Sequence, residues 1–492
     1  MSGLKVLADI FREYDIRGDA DQELTDNAVE AIGRAYGTWL RRKGVSRASI
    51  GGDVRLSTER IRAAVTRGLL ATGIDVIDIG VVTTPLLYWS LRRLELKGGV
   101  MITGSHNPPN MNGLKLCWDK GTLWGDEVQA IRRLIEADDF DGQTAGLTRT
   151  DKLAAFGRSA MAEQGPGGLA EAEGTGTLTR QDLSGAYLEM LASKFQAFNR
   201  KFKVVCDSGN GTAGPLARRF FTSLGCECVP LFEEPDGRFP NHHPDPQKRE
   251  NLQALIAKVR EVGADVGFAF DGDADRIGVV DERGEVVFGD RLMALYWRDI
   301  LKSHPGAEAI IEPKCSMALA EEVEKCGGRP LYWKSGHSVI KAKMREINAL
   351  FAGEYSGHMF FADEYYGFDD PFYAAGRLLR ILSNEGKTLS EIMSSIPLYP
   401  ITEEARIPCP DTQKFDVVAR IRDAALKDHE GITLDGIRIL YKDGWGLIRA
   451  SNTQPVITVR CEGRDQESLT RVMADVKARV LAEGLPDFTW TF

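Results

Sequence analysis

The sequence predicts an α/β protein with three similar α/β domains, each built on a βαβ-type mixed sheet, and a C-terminal α+β domain. Three observations support this fold class: a length of 492 residues, a strand–turn–helix–strand pattern that occurs three times, and a final stretch of short strands joined by turns. A single hydrophobic core stops growing at about 250–300 residues, so a chain of this length divides into several domains. We expect the four domains to surround a central cleft.

The first copy of the pattern lies in the N-terminal part of the chain. Residues 49–55 form an apolar run that ends in a polar turn, which is typical of a strand and the loop after it. The helix that follows has one apolar face, formed by Ile61, Val65 and Leu69. Gly73 ends this helix, and residues 74–80 predict the next strand. Strand, helix and strand in this order form a βαβ unit, which places ligands at the carboxyl ends of its strands.

Two further copies follow along the chain. In the second, residues 203–211 predict a strand and a turn, and Gly225 ends the next helix before a strand at 228–231. The third copy is fainter: residues 309–314 predict the strand, and Ser316 is the expected N-cap of the helix. Chance is the alternative to a true architectural repeat, because βαβ patterns are common.

The end of the chain has a different pattern. Short strands are predicted at 436–441, 446–449 and 455–460, and an amphipathic helix around 469–481 completes an α+β domain. The segment 143–180 is rich in glycine and small polar residues, which bury little apolar surface. The predicted divisions are a first domain at 1–150, a flexible Gly-rich insertion or linker at 151–180, and further domains at 181–287, 288–397 and 398–492.

Composition excludes several classes of protein. The formal net charge is −9, so no general positive field exists to hold a nucleic acid or an anionic membrane surface. Charge at Asp9 and Arg12 interrupts any signal-peptide core, and no run approaches about 18 apolar residues, the length that spans a bilayer. The eight cysteines form no C-x-x-C pair. We therefore expect a cytoplasmic protein that binds a small molecule, with no nucleic acid and no membrane as partners.

The first loop with chemical character follows the apolar run 99–102. It places Ser105 and His106 on a tight turn that Pro108 and Pro109 stiffen. A hydroxyl in this position is a candidate nucleophile or phosphoryl carrier, although a strand-ending turn of this composition is also common without function. Lys115 lies close enough in sequence to return across the loop to a phosphate.

The second loop alternates three carboxylates, Asp271, Asp273 and Asp275, directly after an apolar strand. Like charges at this spacing repel unless a cation gathers them, and hard oxygen ligands suit Mg²⁺ or Ca²⁺. An EF-hand is excluded because residues 277–280 continue as a strand. A plain acidic turn is the alternative.

Two further loops carry polar groups. Residues 353–358 place Glu354, Ser356 and His358 between glycines, which favours either a sugar-hydroxyl site or an ordinary polar hairpin with equal weight. Residues 449–455 combine a guanidinium, two hydroxyls, an amide and free backbone N–H groups, the inventory of a phosphate-binding concavity. No nucleotide P-loop and no Rossmann fingerprint occurs in the sequence.

The four loops, in this order and at domain-scale spacing, resemble the α-D-phosphohexomutase superfamily, in particular its bacterial phosphomannomutase/phosphoglucomutase branch. The resemblance covers nearly the whole chain. It extends to residues 11–18 near the start and to residues 239–246 before the acidic loop. In that second stretch we interpret His242 and His243 as structural residues and not as metal ligands.

The resemblance implies a role for each loop. Ser105 would carry the phosphoryl group, and its phosphate would share Mg²⁺ with Asp271, Asp273 and Asp275. The residues that would act on the transferring phosphate are Arg17, His106, Lys115 and Arg276. Glu354 and Ser356 would bind sugar hydroxyls. The further substrate contacts would be Tyr14, Lys314, His337 and His358, and the non-reacting phosphate would be held by Arg449, Ser451, Asn452 and Thr453.

The activity implied by the resemblance is reversible phosphoryl transfer between positions 1 and 6 of mannose or glucose phosphates. It would proceed through phosphoserine and a hexose 1,6-bisphosphate, which would also serve as activator. Family members commonly have Met where this chain has Tyr355, whereas hexosamine mutases have Gln, so a phosphoglucosamine mutase is an alternative. A non-catalytic phosphosugar-binding protein and a metal-dependent phosphatase are the others. A monomer or a dimer is expected.

Overall fold

The computed structural model describes residues 8–142, 176–451 and 454–492. Within these ranges the strands form four sheets, three of mixed direction and one entirely antiparallel. The expectation of a four-domain α/β fold is confirmed. Most of the predicted insertion, residues 143–175, lies outside the described residues.

The first domain is built on a seven-stranded sheet of order β1-β5-β4-β2-β3-β7, with β6 beside β5. Its strands are β1 (Ile16–Asp19), β2 (Arg47–Gly52), β3 (Asp75–Val81), β4 (Gly98–Ile102), β5 (Met111–Trp118), β6 (Gly121–Thr122) and β7 (Leu178–Arg180). Its helices are α1 (Asp26–Arg42), α2 (Thr58–Ala71), α3 (Thr84–Arg93) and α4 (Asp126–Glu136), with a 3-10 turn at Ala8–Ile10. Strands β4, β2, β3 and β7 are parallel, whereas β5 runs antiparallel to β4 and β1.

The second and third domains repeat this arrangement in smaller sheets, of order β12-β11-β10-β8-β9 and β14-β13-β15-β16. The second contains α5 (Ser184–Ala192), β8 (Lys203–Asp207), α6 (Gly214–Ser223), β9 (Glu227–Leu231), a 3-10 turn (Arg249–Leu252), α7 (Gln253–Val262), β10 (Val266–Phe270), β11 (Ile277–Asp281) and β12 (Val286–Val287). The third contains α8 (Gly289–Leu301), β13 (Glu308–Ile311), α9 (Met317–Lys325), β14 (Arg329–Tyr332), α10 (His337–Ile347), β15 (Phe351–Gly353), β16 (Met359–Phe361), α11 (Pro371–Glu385) and α12 (Leu389–Met393).

The fourth domain is an antiparallel sheet of order β17-β21-β20-β19-β18 covered by two helices. It contains β17 (Ala405–Pro408), α13 (Lys414–Ala425), β18 (Glu430–Ile432), β19 (Ile437–Tyr441), β20 (Gly444–Ala450), β21 (Val456–Gly463) and α14 (Gln466–Ala482). Its apolar residues form a core of their own. A larger core is continuous from α3 of the first domain through the second and third domains.

The three sequence repeats end their helices in the same way. Gly73, Gly225 and Gly327 follow α2, α6 and α9, and their φ angles are +78°, +80° and +82°. This left-handed conformation suits glycine because it has no Cβ, so each glycine stops a helix and releases the chain into the next strand. In the third repeat the Ser316 side chain caps α9 by accepting from the backbone N–H of Ala318. The expected βαβ architecture is therefore present in all three domains.

The end of the predicted linker differs from the expectation of a flexible segment. Residues 178–180 form β7, which pairs in parallel with β3 at the edge of the first sheet. All three side chains are exposed, so backbone hydrogen bonds hold this strand in place. Thr177 adds to them through its backbone N–H and its hydroxyl, both of which donate to Asp75. Among the described residues, no helix combines the length and the apolarity that crossing a membrane requires.

Candidate active site

The four loops of the sequence analysis occupy equivalent places in the four sheets. Each joins a strand to the antiparallel strand that follows it: 103–110 joins β4 to β5, 271–276 joins β10 to β11, 354–358 joins β15 to β16, and 451–455 joins β20 to β21. In the first three domains the strand before the loop pairs in parallel with a strand of the βαβ unit. The loops therefore leave corresponding ends of the sheets.

Ser105 lies at the contact between the first and second domains. Its side chain is buried, and its hydroxyl donates to Oδ2 of Asp271 over 2.8 Å. Nδ1 of His106 lies 3.2 Å from the same hydroxyl. Ser105 has a φ of +46°, an uncommon conformation for a residue with a side chain. The hydrogen bond to Asp271 shows that the fold brings the predicted serine and the predicted acidic loop together.

Two charged residues that the sequence analysis did not assign to the site lie beneath the serine loop. Arg55 is 2% exposed, and its guanidinium donates to four carbonyl oxygens, those of Ser105, Asn107, Pro108 and Met111. Asp53 accepts the backbone N–H of Gly104 and lies 3.2 Å from Nε of Arg55. Sequence analysis could have found both residues from their position. They directly follow a buried strand, where charged residues are unusual unless they form specific contacts.

The second domain closes over the same loop through its histidines. His243 donates from Nε2 to the carbonyl oxygen of His106, and His242 contacts both carboxylate oxygens of Asp207. Burial alone would lower the pKa of His242, but the hydrogen bonds and the charge of Asp207 raise it. These contacts agree with the structural role that we predicted for both histidines.

The three aspartates of the acidic loop are buried and converge. Their carboxylate oxygens lie within 4.8 Å of one another. Nζ of Lys115 donates to Oδ2 of Asp273 over 2.8 Å and to Oδ2 of Asp275, while Oδ1 of both aspartates accepts no hydrogen bond from any described residue. Buried carboxylate oxygens without donors are costly, and hard oxygen ligands are those that Mg²⁺ prefers. The residues present therefore fit a divalent cation of this kind.

The pKa values of Asp271 and Asp273 are shifted in opposite directions. Burial raises the pKa of Asp271 well above its usual value, and the carboxylates of Asp275 and Asp273 add to this effect. Burial would do the same to Asp273, but the adjacent ammonium of Lys115 lowers the pKa of that carboxyl. The pKa of Lys115 is raised in turn because the two aspartates outweigh its desolvation.

Arg276 and His358 join the acidic loop to the third domain. Nε of Arg276 donates to Nε2 of His358 over 3.1 Å and lies 3.9 Å from Asp271. Nδ1 of His358 lies 2.9 Å from Oδ2 of Asp369. Oδ1 of Asp369 accepts a hydrogen bond from Nζ of Lys341. Asp369 and Lys341 are fully buried and were missed by the sequence analysis, since neither lies in a recognisable motif.

Cationic groups surround the serine. Burial lowers the pKa of His106 well below its usual value, and the positive charges of Arg276 and Arg17 lower it further. Arg17 donates to Asp15 over 2.6 Å and keeps its Nε buried without an acceptor among the described residues. Arg17, Lys115 and Arg276 are thus the predicted phosphate ligands that the structure places around Ser105.

The loop 354–358, which we predicted as a sugar site, packs against the loop that contains His337. Oε1 of Glu354 accepts the backbone N–H of Gly336 over 2.9 Å, and the rings of His337 and His358 stack at 5.5 Å. Tyr14 of the first domain donates from its hydroxyl to the carbonyl oxygen of Ser335. Ser356 is buried in the same loop. These predicted substrate residues therefore lie together where the first and third domains meet.

Tyr355 contacts residues of the third and fourth domains. Its ring stacks on Phe288 at 5.8 Å, and the guanidinium of Arg460 from the fourth domain lies over it at 3.9 Å. Its backbone N–H donates to Glu312, a buried carboxylate that also lies 3.8 Å from Nζ of Lys314. Tyr355 thus forms a contact between the third and fourth domains.

The fourth domain presents Arg449 to the same region. Its guanidinium pairs with Asp435 over 2.9 Å. The pKa of Tyr14 is raised by burial and by the negative charges of Asp435 and Glu354, and Arg449 opposes this, so these groups lie within electrostatic reach of one another. Ser451 begins the predicted phosphate loop. Asn452 and Thr453, which complete that prediction, lie outside the described residues.

Comparison with known proteins gives a consistent result. Four family models match in chain order: phosphoglucomutase/phosphomannomutase alpha/beta/alpha domain I at residues 8–142, domain II at 185–284, domain III at 288–399 and the C-terminal domain at 404–479. The chain is 41% identical over 466 residues to a phosphomannomutase/phosphoglucomutase of Pseudomonas aeruginosa, covering 94% of each chain. It is 39% identical to a phosphoglucomutase of Neisseria gonorrhoeae, covering 99% of each chain. A crystal structure of a phosphoglucomutase/phosphomannomutase family protein from Burkholderia thailandensis matches with a TM-score of 0.87 and 37% identity, over 99% of this chain and 100% of that chain.

Proposed function

Because this chain belongs to the phosphoglucomutase/phosphomannomutase family, we propose that it interconverts the 1-phosphates and 6-phosphates of mannose and glucose, with Ser105 as phosphoryl carrier. The observation that supports this assignment best is the buried Ser105 hydroxyl, 2.8 Å from Asp271 at the edge of three converging carboxylates. A hydroxyl in such a place accepts and donates a phosphoryl group when cations offset the charge.

Each half of the reaction exchanges one O–P bond for another. A sugar hydroxyl attacks the phosphorus of phosphorylated Ser105, the new sugar O–P bond forms, and the Oγ–P bond of Ser105 breaks. The proton of the attacking hydroxyl passes to a basic group of the cleft. His358 instead orients a cation: its Nε2 accepts a hydrogen bond from Nε of Arg276, and its Nδ1 lies 3.1 Å from the carbonyl oxygen of Asp275. The resulting 1,6-bisphosphate reverses its orientation and returns its other phosphate to Ser105.

Positive charge is concentrated where the transferring phosphate would lie. Lys115 and Arg276 border the carboxylates, and Arg17 is close enough to lower the pKa of His106. Charge-assisted hydrogen bonds from such groups stabilise the negative charge of the transferred phosphoryl oxygens. His106, whose Nδ1 lies 3.2 Å from Oγ of Ser105, adds a hydrogen-bonding group.

The rest of the cleft binds the remainder of the substrate. Glu354 and Ser356 are assigned to sugar hydroxyls, because a carboxylate and a hydroxyl offer the acceptor and donor that vicinal hydroxyls need. The remaining sugar contacts would come from Tyr14, Lys314, His337 and His358. The phosphate that does not react is assigned to Arg449, Ser451, Asn452 and Thr453. A cradle in a different domain from Ser105 lets one site hold the bisphosphate in either orientation.

Mg²⁺ is the proposed cofactor, held by Asp271, Asp273 and Asp275 with an oxygen of phosphorylated Ser105. When bound it supplies positive charge to the transferring phosphoryl group. A hexose 1,6-bisphosphate is the proposed activator, because a chain that has lost its phosphate needs a donor to restore it. The cytoplasm is the proposed location, because the eight cysteines are scattered along the sequence and form no C-x-x-C pair. A monomer or a dimer is expected by sedimentation.

The test compares kcat/KM for mannose 1-phosphate, glucose 1-phosphate and glucosamine 1-phosphate, with Mg²⁺ and the matching bisphosphate present. We expect similar values for the first two, because mannose and glucose differ only in configuration at C2. Little activity on the third is expected because the relatives at about 40% identity are named for mannose and glucose phosphates. Ser105→Ala should abolish turnover and leave thermal unfolding unchanged. Ser208→Ala is the matched control, since Ser208 is also a buried serine just after a strand.

Three outcomes would contradict the proposal. Full activity of Ser105→Ala would exclude phosphoserine chemistry. Dominance of glucosamine 1-phosphate would identify a hexosamine enzyme. Release of free phosphate at the rate of isomer formation would identify a phosphatase.

A further inference from the structure

The backbone conformation of Ser105 must be stabilised by contacts with the surrounding structure. Its φ of +46° lies in the left-handed region, which residues with a Cβ occupy only where the surrounding structure enforces it. The outer half of the loop does not do so, because Pro108, Pro109 and Asn110 are exposed to solvent. The constraint must come from the inner side.

Arg55 lies on that inner side. Its Nη2 donates to the carbonyl oxygens of Ser105 at 2.8 Å and Asn107 at 2.6 Å, and Nη1 donates to those of Met111 at 2.8 Å and Pro108. A guanidinium is planar and carries its donors in a fixed fork, so four bonds define the relative positions of the four carbonyl groups. Arg55 therefore fixes the curvature of the loop on both sides of Ser105.

Asp53 holds the guanidinium and the loop together. Its Oδ2 accepts the backbone N–H of Gly104 at 3.0 Å and lies 3.2 Å from Nε of Arg55, while Oδ1 accepts the backbone N–H of Arg55. Gly104 leaves the space that this packing needs, because a Cβ there would lie 2.5 Å from Cζ of Arg55. Gly52 pairs in parallel with Ile102, so Asp53 and Gly104, which follow these two residues, both lie at the base of the loop.

We propose that Arg55, supported by Asp53, is a positioning residue that holds Ser105 in the conformation from which its hydroxyl reaches Asp271 and exchanges a phosphoryl group. This inference rests on the proposed function of Ser105. Arg55 acts through the main chain, and among the described residues it contacts none of those assigned to the sugar or to the distant phosphate. Its loss should therefore reduce kcat and leave KM nearly unchanged.

The experiment measures two quantities in the full-length chain with Mg²⁺. The first is the rate at which intact mass shows Ser105 phosphorylation by glucose 1,6-bisphosphate, and the second is kcat and KM for glucose 1-phosphate. We expect Arg55→Ala to lower the phosphorylation rate and kcat about 100-fold, the typical effect of a small misplacement of a reacting group. Guanidinium chloride at millimolar concentration should restore part of the lost rate in Arg55→Ala but not in Arg55→Lys, whose longer side chain fills the space.

Arg291→Ala is the matched control. Arg291 also donates to main-chain carbonyl groups, those of Met393 and Ile396, but it does so in the third domain away from the serine loop. It should leave both rates unchanged. If Arg55→Ala does not fold, Arg55→Lys and Asp53→Asn replace it, because both nearly keep the packing volume. The first removes the planar guanidinium, and the second removes the negative charge that pairs with it. Each should slow phosphorylation at least about tenfold.

The outcomes separate this inference from the proposed function. If the unmodified chain takes up no phosphate on Ser105, the proposed function fails. If the unmodified chain is phosphorylated and the folded Arg55 and Asp53 variants are phosphorylated at the same rate, the positioning role is refuted. A rise in KM without a fall in kcat would also refute it, since that result would place Arg55 in substrate binding.

Discussion

Lys115 shares the carboxylates that we assign to the metal, and its removal should change how the chain responds to Mg²⁺. Its ammonium is 2.8 Å from Oδ2 of Asp273 and also contacts Asp275, and all three side chains are nearly inaccessible to solvent. At this distance and an effective dielectric constant of about 20, the gross attraction of one pair is about 6 kcal/mol. Desolvation cancels much of it, and removal of one partner of a buried pair costs about 3–5 kcal/mol.

Lys115→Met keeps the length and the apolar stem of the side chain and removes only the charge. With all three carboxylates ionised to bind a cation, the aspartates carry −3 and Lys115 reduces this to −2, so a divalent cation meets one more negative charge in the variant. We expect the variant to unfold at a lower temperature than the wild type in EDTA and to regain more of its stability when Mg²⁺ is added. The Kd for Mg²⁺ should fall at least about tenfold, which requires about 1.4 kcal/mol of the lost attraction.

The assay is thermal unfolding as a function of Mg²⁺ concentration, with titration calorimetry for the affinity, and it does not depend on activity. Lys414→Met is the matched control, because Lys414 is a similarly buried lysine that pairs with Asp411 in the fourth domain. Its response to Mg²⁺ should equal that of the wild type. An equal Mg²⁺ response in Lys115→Met and the wild type would refute the reasoning, since it would mean that the lysine and the cation do not share these carboxylates.

Three other perturbations test separate parts of the structure. Tyr355→Met should leave the ratio of mannose to glucose activity unchanged and lower thermal stability, because the ring contacts Arg460 rather than the sugar site and such a contact is worth about 0.5–2 kcal/mol; a changed ratio would contradict this. His242→Gln should cost most stability below about pH 6.5, the unfolded value, and progressively less as pH rises through the raised folded pKa, as unfolding at several pH values will show. Arg449→Ala should raise KM for glucose 1-phosphate about 10–100-fold with a smaller change in kcat, as expected for a lost charge-assisted hydrogen bond of about 1.5–3 kcal/mol; an unchanged KM would contradict the phosphate cradle.

The βαβ repeats could be predicted because their signals are local. Apolar positions three and four apart mark each helix, and a glycine after each helix marks its end, so α2, α6 and α9 follow from short stretches of sequence. The acidic loop could also be predicted, since three carboxylates directly after an apolar strand repel one another unless a cation binds them. Ser105 and its carboxylate partner come together because both loops occupy the same place in their sheets.

The supporting residues could not be predicted, because their partners are distant in sequence. Arg55 binds carbonyl groups 50 to 56 residues away, and a carbonyl group has no signature in the sequence. Asp369 and Lys341 acquire their role only when the fold brings them to His358. The sequence left the effect of Tyr355 on substrate choice open, and the contacts of its ring could not be predicted because Phe288 and Arg460 belong to other segments.

Charge at the contact between the first two domains depends on the state of Ser105. With all three carboxylates ionised, Asp271, Asp273 and Asp275 contribute −3, and Lys115 and Arg276, which pair with them, contribute +2, so this group of five side chains carries −1. Phosphorylation adds about −1.5 to −2 at a position now 2.8 Å from Asp271, so the contact would become strongly repulsive without a further cation. A divalent ion brings the sum close to −1 again. Phosphoserine and metal should therefore bind cooperatively, and the affinity for Mg²⁺ should be higher in the phosphorylated chain than in Ser105→Ala, as calorimetry on the two forms will show.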